Sequence, residues 1–306
     1  MANQQPRAYA AAHFALELDG KDEVGLFRSI EGGSIKADVM QYQTGAHYDR
    51  WRQLGKPKFE DFKVQVGMSM SKPFYDWIAK FFNGEAERKT GAIVAADFYY
   101  VERARREFKE AIIKELVFPK LDGQDKGAAY MSIAVAVEEM VFKKGEGKKL
   151  SGATGFNRQK LWTANNFRFK LDGFGEQCKR VSKIDSFTVK QNIAEHHVGG
   201  FRAPIKCPTQ IDFPQITFYV PESDAQPFWD HFTKRAVKGE VPGRLTGSIQ
   251  TYDNDGRDLF TLSFEGADIA NIQPDKLDAG SEEIKQIKID LYTEKMKFEY
   301  LAMSVE

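Results

Sequence analysis

The sequence predicts a β-rich α+β protein made of two tandem copies of one unit, and three observations carry that expectation. The segment FKEAIIKELVFPKLD (108–122) returns without a gap as FEGADIANIQPDKLD (264–278), so that Phe108, Ala111, Ile113, Lys120, Leu121 and Asp122 recur as Phe264, Ala267, Ile269, Lys276, Leu277 and Asp278. A shared hydrophobic spacing together with a shared Lys-Leu-Asp is the mark of duplication. Alternation of period two runs through both copies, and each copy holds one stretch of helical spacing.

The first strand of each copy is expected at FALELDG (14–20) and FRFKLDG (167–173). Phe14, Leu16 and Leu18, and likewise Phe167, Phe169 and Leu171, fall at alternate positions before an Asp-Gly turn. FEDFKVQVG (59–67) aligns with FPQITFYVP (213–221); Val64 and Val66 alternate with Lys63 and Gln65, as a sheet with one wet face requires. SKPFYDWIAKFFNG (71–84) then reads as an amphipathic helix: Ser71 is placed to cap, Pro73 sits in the first turn, Phe74, Trp77, Ile78 and Phe81 form one stripe, and Asn83-Gly84 ends it. Its partner is SDAQPFWDHFTKRAVKG (223–239), where Pro227-Phe228-Trp229-Asp230 echoes Pro73-Phe74-Tyr75-Asp76 and Gly239 stands past the last turn. Both aromatic stripes, Trp229 and Phe232 included, are expected to face a core.

Further on, Thr90-Gly91 matches Thr246-Gly247, and TYDNDGRDLFTLSF (251–264) predicts two strands joined at Asn254-Asp255-Gly256. Asp253 and Asp255 resemble a fragment of a calcium loop, but the twelfth position of such a loop, counted from Asp253, is Phe264 rather than Glu, which leaves turn chemistry. SIAVAVEEMVF (132–142) aligns with KIDLYTEKMKF (288–298), keeping Glu138/Glu294, Met140/Met296 and Phe142/Phe298. Each copy is expected to close on one long strand. Between the copies, KKGEGKKLSGATGFNRQKLW (143–162) is rich in Gly, Ser and Lys and reads as a solvated connector. Its GEGKKLSG lacks the spacing of a phosphate-binding loop.

At 306 residues the chain is long enough for two domains, expected at 1–147 and 166–306 with a linker at 148–165. Lys+Arg and Asp+Glu both number 44, so no long-range field draws the protein to nucleic acid or to an anionic membrane. Cys178 and Cys207 stand far apart, and two buried reduced thiols are expected rather than a disulfide or a zinc module. No apolar run reaches the length of a membrane span, and the start reads as synthesis in the cytoplasm without a cleaved leader. Catalytic patterns are missing as well: there is no G-x-S-x-G, no HExxH and no dinucleotide fingerprint, and the adjacent His196-His197 would point to opposite faces of a strand. Catalytic, cofactor and metal sites are therefore expected to be absent.

The first copy resembles the tail-tube proteins of contractile phages and of phage-like contractile injection systems, over roughly residues 13–147. The order FALELDG…VGLFRSIEGG, YQTGAHYDRWRQLGKPKFEDFKVQVGMS, KPFYDWI, FPKLD and VAVEEMVFKKG carries it. The second copy lacks the VGLF and RQLGK stretches. What the resemblance implies is an antiparallel β-barrel or sandwich with one flanking helix in each copy, homo-oligomeric rings around a central channel, and stacking of rings into a tube. Sheath, baseplate or cap proteins are the further partners, with neither membrane insertion nor specific nucleic-acid binding. It also makes residues 30–58 a long loop reaching a neighbouring subunit, with Tyr42, Tyr48, Arg50, Trp51 and Arg52 as candidate inter-subunit contacts, since aromatic and Arg residues are enriched at interfaces.

The leading expectation is thus a structural, non-enzymatic tube component. A hub, initiator or adaptor ring of the same machine stands beside it, and a carbohydrate- or nucleic-acid-binding β-module is the alternative from another class, motivated by 13% aromatic residues and the basic connector. If the family ring holds six domains and this chain carries two, three chains make a ring; six chains with one copy outside the channel is the competing geometry.

Overall fold

The computed structural model describes residues 13–20, 25–43, 45, 48–150, 162–240, 244–275 and 284–301. The alternating first segment becomes strand β1 (His13–Leu18), followed by β2 (Gly25–Gly32), β3 (Ile35–Tyr42), β4 (Trp51–Phe59) and β5 (Phe62–Met70). Helix α1 (Lys72–Phe82) leads to β6 (Lys89–Ala96), β7 (Glu102–Phe118), β8 (Leu121–Asp122), β9 (Met131–Ala136) and β10 (Glu139–Lys144). The strands run in the order β7-β6-β1-β2-β5-β9, and β9 pairs back onto β7, so the first copy closes as an antiparallel barrel. Its seam is thin: β1 pairs with β6 from His13 to Leu18 but meets β2 only at Ala15 opposite Leu26.

The second copy repeats the sequence of elements. β11 (Phe167–Leu171) and the one-turn α2 (Gly175–Cys178) precede β12 (Lys183–Ile184), β13 (Phe187–His196), β14 (Ile205–Asp212) and β15 (Ile216–Pro221). Then come α3 (Gln226–Phe232), β16 (Leu245–Tyr252), β17 (Asp258–Pro274), β18 (Gln286–Tyr292) and β19 (Lys295–Tyr300). The order β11-β16-β17-β18-β15-β12 matches the first barrel strand for strand, except that among the described residues β11 and β12 do not pair. The chain is mainly β, two antiparallel barrel-like copies each with a flanking helix, as its alternation predicts.

Duplication extends to irregularities. β7 breaks register against β9 between Ile113 and Glu115, and β17 breaks against β18 between Ile269 and Asn271. Just upstream, Glu110 takes φ 53° and its counterpart Gly266 takes φ 65°. Both long strands bend at one place, and the second copy uses the residue that does so without strain.

Several expectations change. The closing segment is two strands in each copy rather than one. Val137–Glu138 and Thr293–Glu294 interrupt it, with Glu138 N donating to Lys109 O (3.2 Å) and Glu294 N donating to Glu265 O (3.2 Å), so the chain re-registers along the bent β7 or β17. Ser71 occupies the N-cap position of α1, but its hydroxyl is buried without a hydrogen-bond partner and does not cap. The stretch expected as a loop at 30–58 begins with the end of β2, and its β3 and β4 then pair as an antiparallel hairpin rather than an open loop.

The copies share one core. Phe118 of β7 stacks on Phe187 of β13 (centroids 4.9 Å) and tilts against Phe260 (6.0 Å), while Trp162 meets Phe260 edge-on (5.2 Å). α1 buries Phe74, Tyr75, Trp77, Ile78, Phe81 and Phe82. Its Tyr75 stacks on Tyr300 of β19 at 3.7 Å and its Phe82 lies parallel to Phe298 at 6.0 Å. In α3 only Phe228 is fully buried; Trp229 and Phe232 pack at the edge of the core and remain half-exposed, against expectation. Cys178 is buried, which pushes its thiol up to about 11, whereas Cys207 is partly exposed; neither forms a disulfide. The connector's Leu150 N donates to Tyr100 O (2.8 Å) and its Trp162 is buried, so both ends are tied down; 151–161 lie outside the described residues, as do Lys276, Leu277 and Asp278 of the repeated motif.

Candidate assembly surface

The hairpin of β3 and β4 pairs with no other strand among the described residues. Its register sets Ile35 opposite Phe59, Val39 opposite Leu54, Gln41 opposite Arg52 and Tyr42 opposite Trp51. An ordinary hairpin hides one face on a core, which costs nothing because alternation supplies an apolar side. Here Ile35, Val39, Met40, Tyr42, Trp51 and Leu54 are all exposed, Trp51 at 67%. Apolar side chains stand exposed on both faces, Met40, Tyr42 and Trp51 on one and Val39 and Leu54 on the other, as on a surface suited to association. Charged cross-strand contacts hold it in shape meanwhile: Lys58 to Asp38 (2.6 Å) and Lys36 to Glu60, which also accepts from Ser34, while Tyr42 donates its hydroxyl to Gln53.

Of the candidate contacts, Tyr42, Trp51 and Arg52 lie side by side at the far end of the hairpin, and Tyr48 and Arg50 stand in its tip. All are exposed. Sequence reasoning missed the surface's other parts, which become visible only beside the joint between the copies.

At that joint β13 adds to the free edge of β7, with Phe187 opposite Phe118, Thr188 opposite Val117, Val189 opposite Leu116 and Lys190 opposite Glu115. The β13–β14 hairpin is anchored by an ion pair of the first copy. Arg88 Nη1 meets Glu138 Oε1 at 2.6 Å, Arg88 Nη2 donates to Lys206 O at 2.6 Å, and Lys206 N donates to Glu138 Oε1 at 2.8 Å. The Lys206 ammonium reaches Phe59 O (3.2 Å) and Asp61 Oδ1 (3.4 Å). Guanidinium and carboxylate together thus grip one residue's backbone, a polar lock on a β-addition.

Glu138→Ala is expected to cost about 2–3 kcal/mol, because it strands the Lys206 N–H and leaves a part-buried guanidinium with only the longer contact to Glu110 (3.2 Å) as its ion pair. Glu294→Ala, removing the exposed counterpart that pairs with Arg244 at 2.8 Å, is expected to cost under about 1 kcal/mol. Urea unfolding of the two variants at low protein concentration checks this; equal losses would contradict it.

Other features singled out in the sequence take part in local contacts. Asp253 accepts from Asp255 N (2.9 Å) and Arg257 N (2.8 Å), so its carboxylate builds the turn. Among the described residues no group of three His, Cys, Asp or Glu is arranged to hold a metal ion, and no helix is long and apolar enough to cross a membrane. In the connector Lys143 pairs with Glu107 (2.6 Å) and Lys148 with Glu146 (2.7 Å).

The family model for the T4-like virus tail tube protein gp19 matches residues 10–141 and again residues 163–297. The chain belongs to that family. It is a tail-tube protein present as a tandem pair, and the resemblance drawn on the first copy holds for the second too. Its family is one of structural tube proteins. No curated protein matches the chain. Among solved structures, it is similar to the sheath/tube terminator of an extracellular contractile injection system (18% identity, TM-score 0.40, 46% of this chain and 99% of that one). The sheath-tube complex of the same kind of system gives 16% identity and TM-score 0.39, over 45% of this chain and 92% of that one. An Hcp protein gives 16% and 0.28, over 46% and 94%.

Proposed function

We propose that three copies of this chain close into a ring of six tail-tube units around a channel, and that such rings stack into the tube of a contractile tail or injection machine. The domains would be 1–147 and 166–306, joined by 148–165. The observation that supports this most directly is the β13-on-β7 addition. It sets the two copies side by side in one continuous sheet, as lateral neighbours in a ring stand, rather than one behind the other along an axis. A six-chain ring with one copy outside the channel would need the copies to meet differently. The role is structural and without catalysis, the protein is made in the cytoplasm, and its principal partner is itself. Sheath, baseplate or cap proteins would meet the outer and axial faces.

A specialised hub, initiator or adaptor ring remains the second reading, favoured by the divergence of the shorter α3 from α1. Native mass spectrometry together with electron microscopy separates them. Threefold particles in filaments of open length support the tube, discrete threefold rings support the adaptor, and sixfold particles with twelve units per layer overturn the ring of three.

Tyr42, Tyr48, Arg50, Trp51 and Arg52 would be inter-subunit contacts. Replacing residues 38–55 by a two-residue turn is expected to leave a folded monomer with an unchanged melting temperature and no assembly, since this part of the hairpin contributes almost nothing to the chain's own core. Sedimentation measures the outcome; full-length tubes from the shortened protein would remove the hairpin from the assembly surface.

A further inference from the structure

The hairpin of the first copy and that of the second are built alike. Lys36 opposite Lys58 corresponds to Lys190 opposite Asp212, Val39 opposite Leu54 to Ile193 opposite Pro208, and Tyr42 opposite Trp51 to His196 opposite Ile205. Both break register at the same place, between Ala37 and Val39 and between Gln191 and Ile193. One hairpin is docked on a neighbouring copy and the other is bare.

The receiving side is duplicated too. The bend and pairing of β17 repeat those of β7, so Glu115, Leu116 and Val117, which receive β13, correspond to Asn271, Ile272 and Gln273. Among the described residues no strand pairs with that edge of β17 opposite β18. Arg88 and Glu138 correspond to Arg244 and Glu294, which form the same ion pair. The first pair is 28% and 17% exposed because Lys206 lies on it; the second is 75% and 48% exposed. Equivalent side chains also differ in cover: Phe298 is 5% exposed beneath α1, and its counterpart Phe142 on β10 is 57% exposed. Tyr75 is buried on Tyr300, while its counterpart Trp229 stays half-bare. Every difference falls where the joint within the chain supplies a cover that the outer copy edges lack.

We propose that a second copy of this chain docks its β3–β4 hairpin and β10 onto β17 and α3, repeating between chains the joint that holds the two copies together within one. β3 adds to β17 with Lys36 opposite Asn271, Ile35 opposite Ile272 and Ser34 opposite Gln273. Arg244 and Glu294 grip the backbone C=O and N–H of Arg52 in the neighbouring copy, because Arg52 holds the place of Lys206. Trp229 covers Phe142. The contact is heterologous, each chain giving its first copy and receiving on its second, so successive additions close into a ring rather than a twofold dimer. This rests on the three-chain ring proposed above and names the residues that would join it.

The test uses the full-length protein with Lys36→Cys and Asn271→Cys in a Cys207→Ser background, oxidised after assembly and read by non-reducing electrophoresis and native mass. Lys190→Cys with Glu115→Cys, at the corresponding positions within the chain, calibrates the geometry by forming an internal disulfide. The expected result is a covalently closed three-chain species. Arg244→Ala, at an exposed side chain, is expected to raise the concentration for half-assembly about tenfold or more with an unchanged melting temperature. Arg52→Ala is expected to assemble nearly as the parent does, because the lock reads backbone. Rings of three that neither cross-link at these positions nor respond to Arg244→Ala overturn the joint and leave the ring count standing. Particles of six chains that do cross-link support the joint while overturning the count of three. A chain that stays monomeric at every concentration overturns both.

Discussion

Alanine at Trp77 is expected to lower folding stability by about 3–5 kcal/mol, the range for a buried large aromatic truncated in a core that cannot collapse around the void. Trp77 is 2% exposed, packs edge-on against Phe74 at 6.3 Å, and donates its indole N–H to Glu87 O at 3.0 Å. Truncation removes the ring and strands that carbonyl in a half-buried turn. The loss should extend beyond the first copy, since α1 covers β19 through Tyr75 and Phe82. Denaturant unfolding should therefore show one cooperative transition shifted for both halves. Trp229→Ala makes the informative contrast: half-exposed in the lone chain, it should cost about 1–2 kcal/mol there and more once chains associate. Equal losses at low concentration would mean that α3 is already covered within the chain.

That contrast shows what the sequence could and could not convey. β1, β11, β5, β15 and α1 were legible because period-two alternation and the stripe Phe74, Trp77, Ile78, Phe81 are local properties of residues meeting one core. The same local logic predicts a buried Trp229. Its burial, however, depends on distant cover: Tyr75 stacks on Tyr300, whereas among the described residues Trp229 has no equivalent ring stacked on it. The hairpin is illegible as strands because it presents apolar residues to solvent beside Lys36, Lys58 and Asp38, so no clean alternation separates a wet face from a dry one. The break at Glu138 and Glu294 is set by bends in β7 and β17, which lie far away in sequence.

Much the same holds for the assembly surface. Tyr42, Tyr48, Arg50, Trp51 and Arg52 stood out by composition, since aromatic and Arg residues crowd a stretch with no visible core partner. Arg244 could not stand out. One exposed Arg–Glu pair is ordinary, and it acquires meaning only beside Arg88 and Glu138 closing on the Lys206 backbone in the joint that is already occupied. The repeated Glu138/Glu294 was visible in sequence without its partner arginines being recognised.

The other repeated pair, Thr90-Gly91 and Thr246-Gly247, leads to the second large effect, at Gly91. A Cβ placed there would lie 2.0 Å from Glu17 O and 2.8 Å from Cζ of the Phe108 ring; at Gly247 it would lie 2.4 Å from Lys170 O and 2.5 Å from Cζ of Phe264. Each glycine sits opposite that phenylalanine in the barrel, Gly91 across from Phe108 and Gly247 across from Phe264, with β1 or β11 on its other side. The recurring phenylalanine thus folds over a cross-strand glycine and fills the space that a side chain would take, a pairing that pins register while letting three strands curve tightly. This accounts for the recurrence of Phe108 and Gly91 together in the second copy. Overpacking a tight core site costs about 1–3 kcal/mol or more, and the upper end applies here because the nearest atom is a backbone carbonyl that cannot rotate away. Gly91→Ala is accordingly expected to lose about 3 kcal/mol in urea unfolding, with Gly247→Ala close behind. Removing the ring as well, in Gly91→Ala with Phe108→Ala, should deepen the loss rather than relieve it, since Glu17 O stays in place and a cavity is added. Recovery of stability in that double variant would show that the ring, not the neighbouring strand, excludes the side chain.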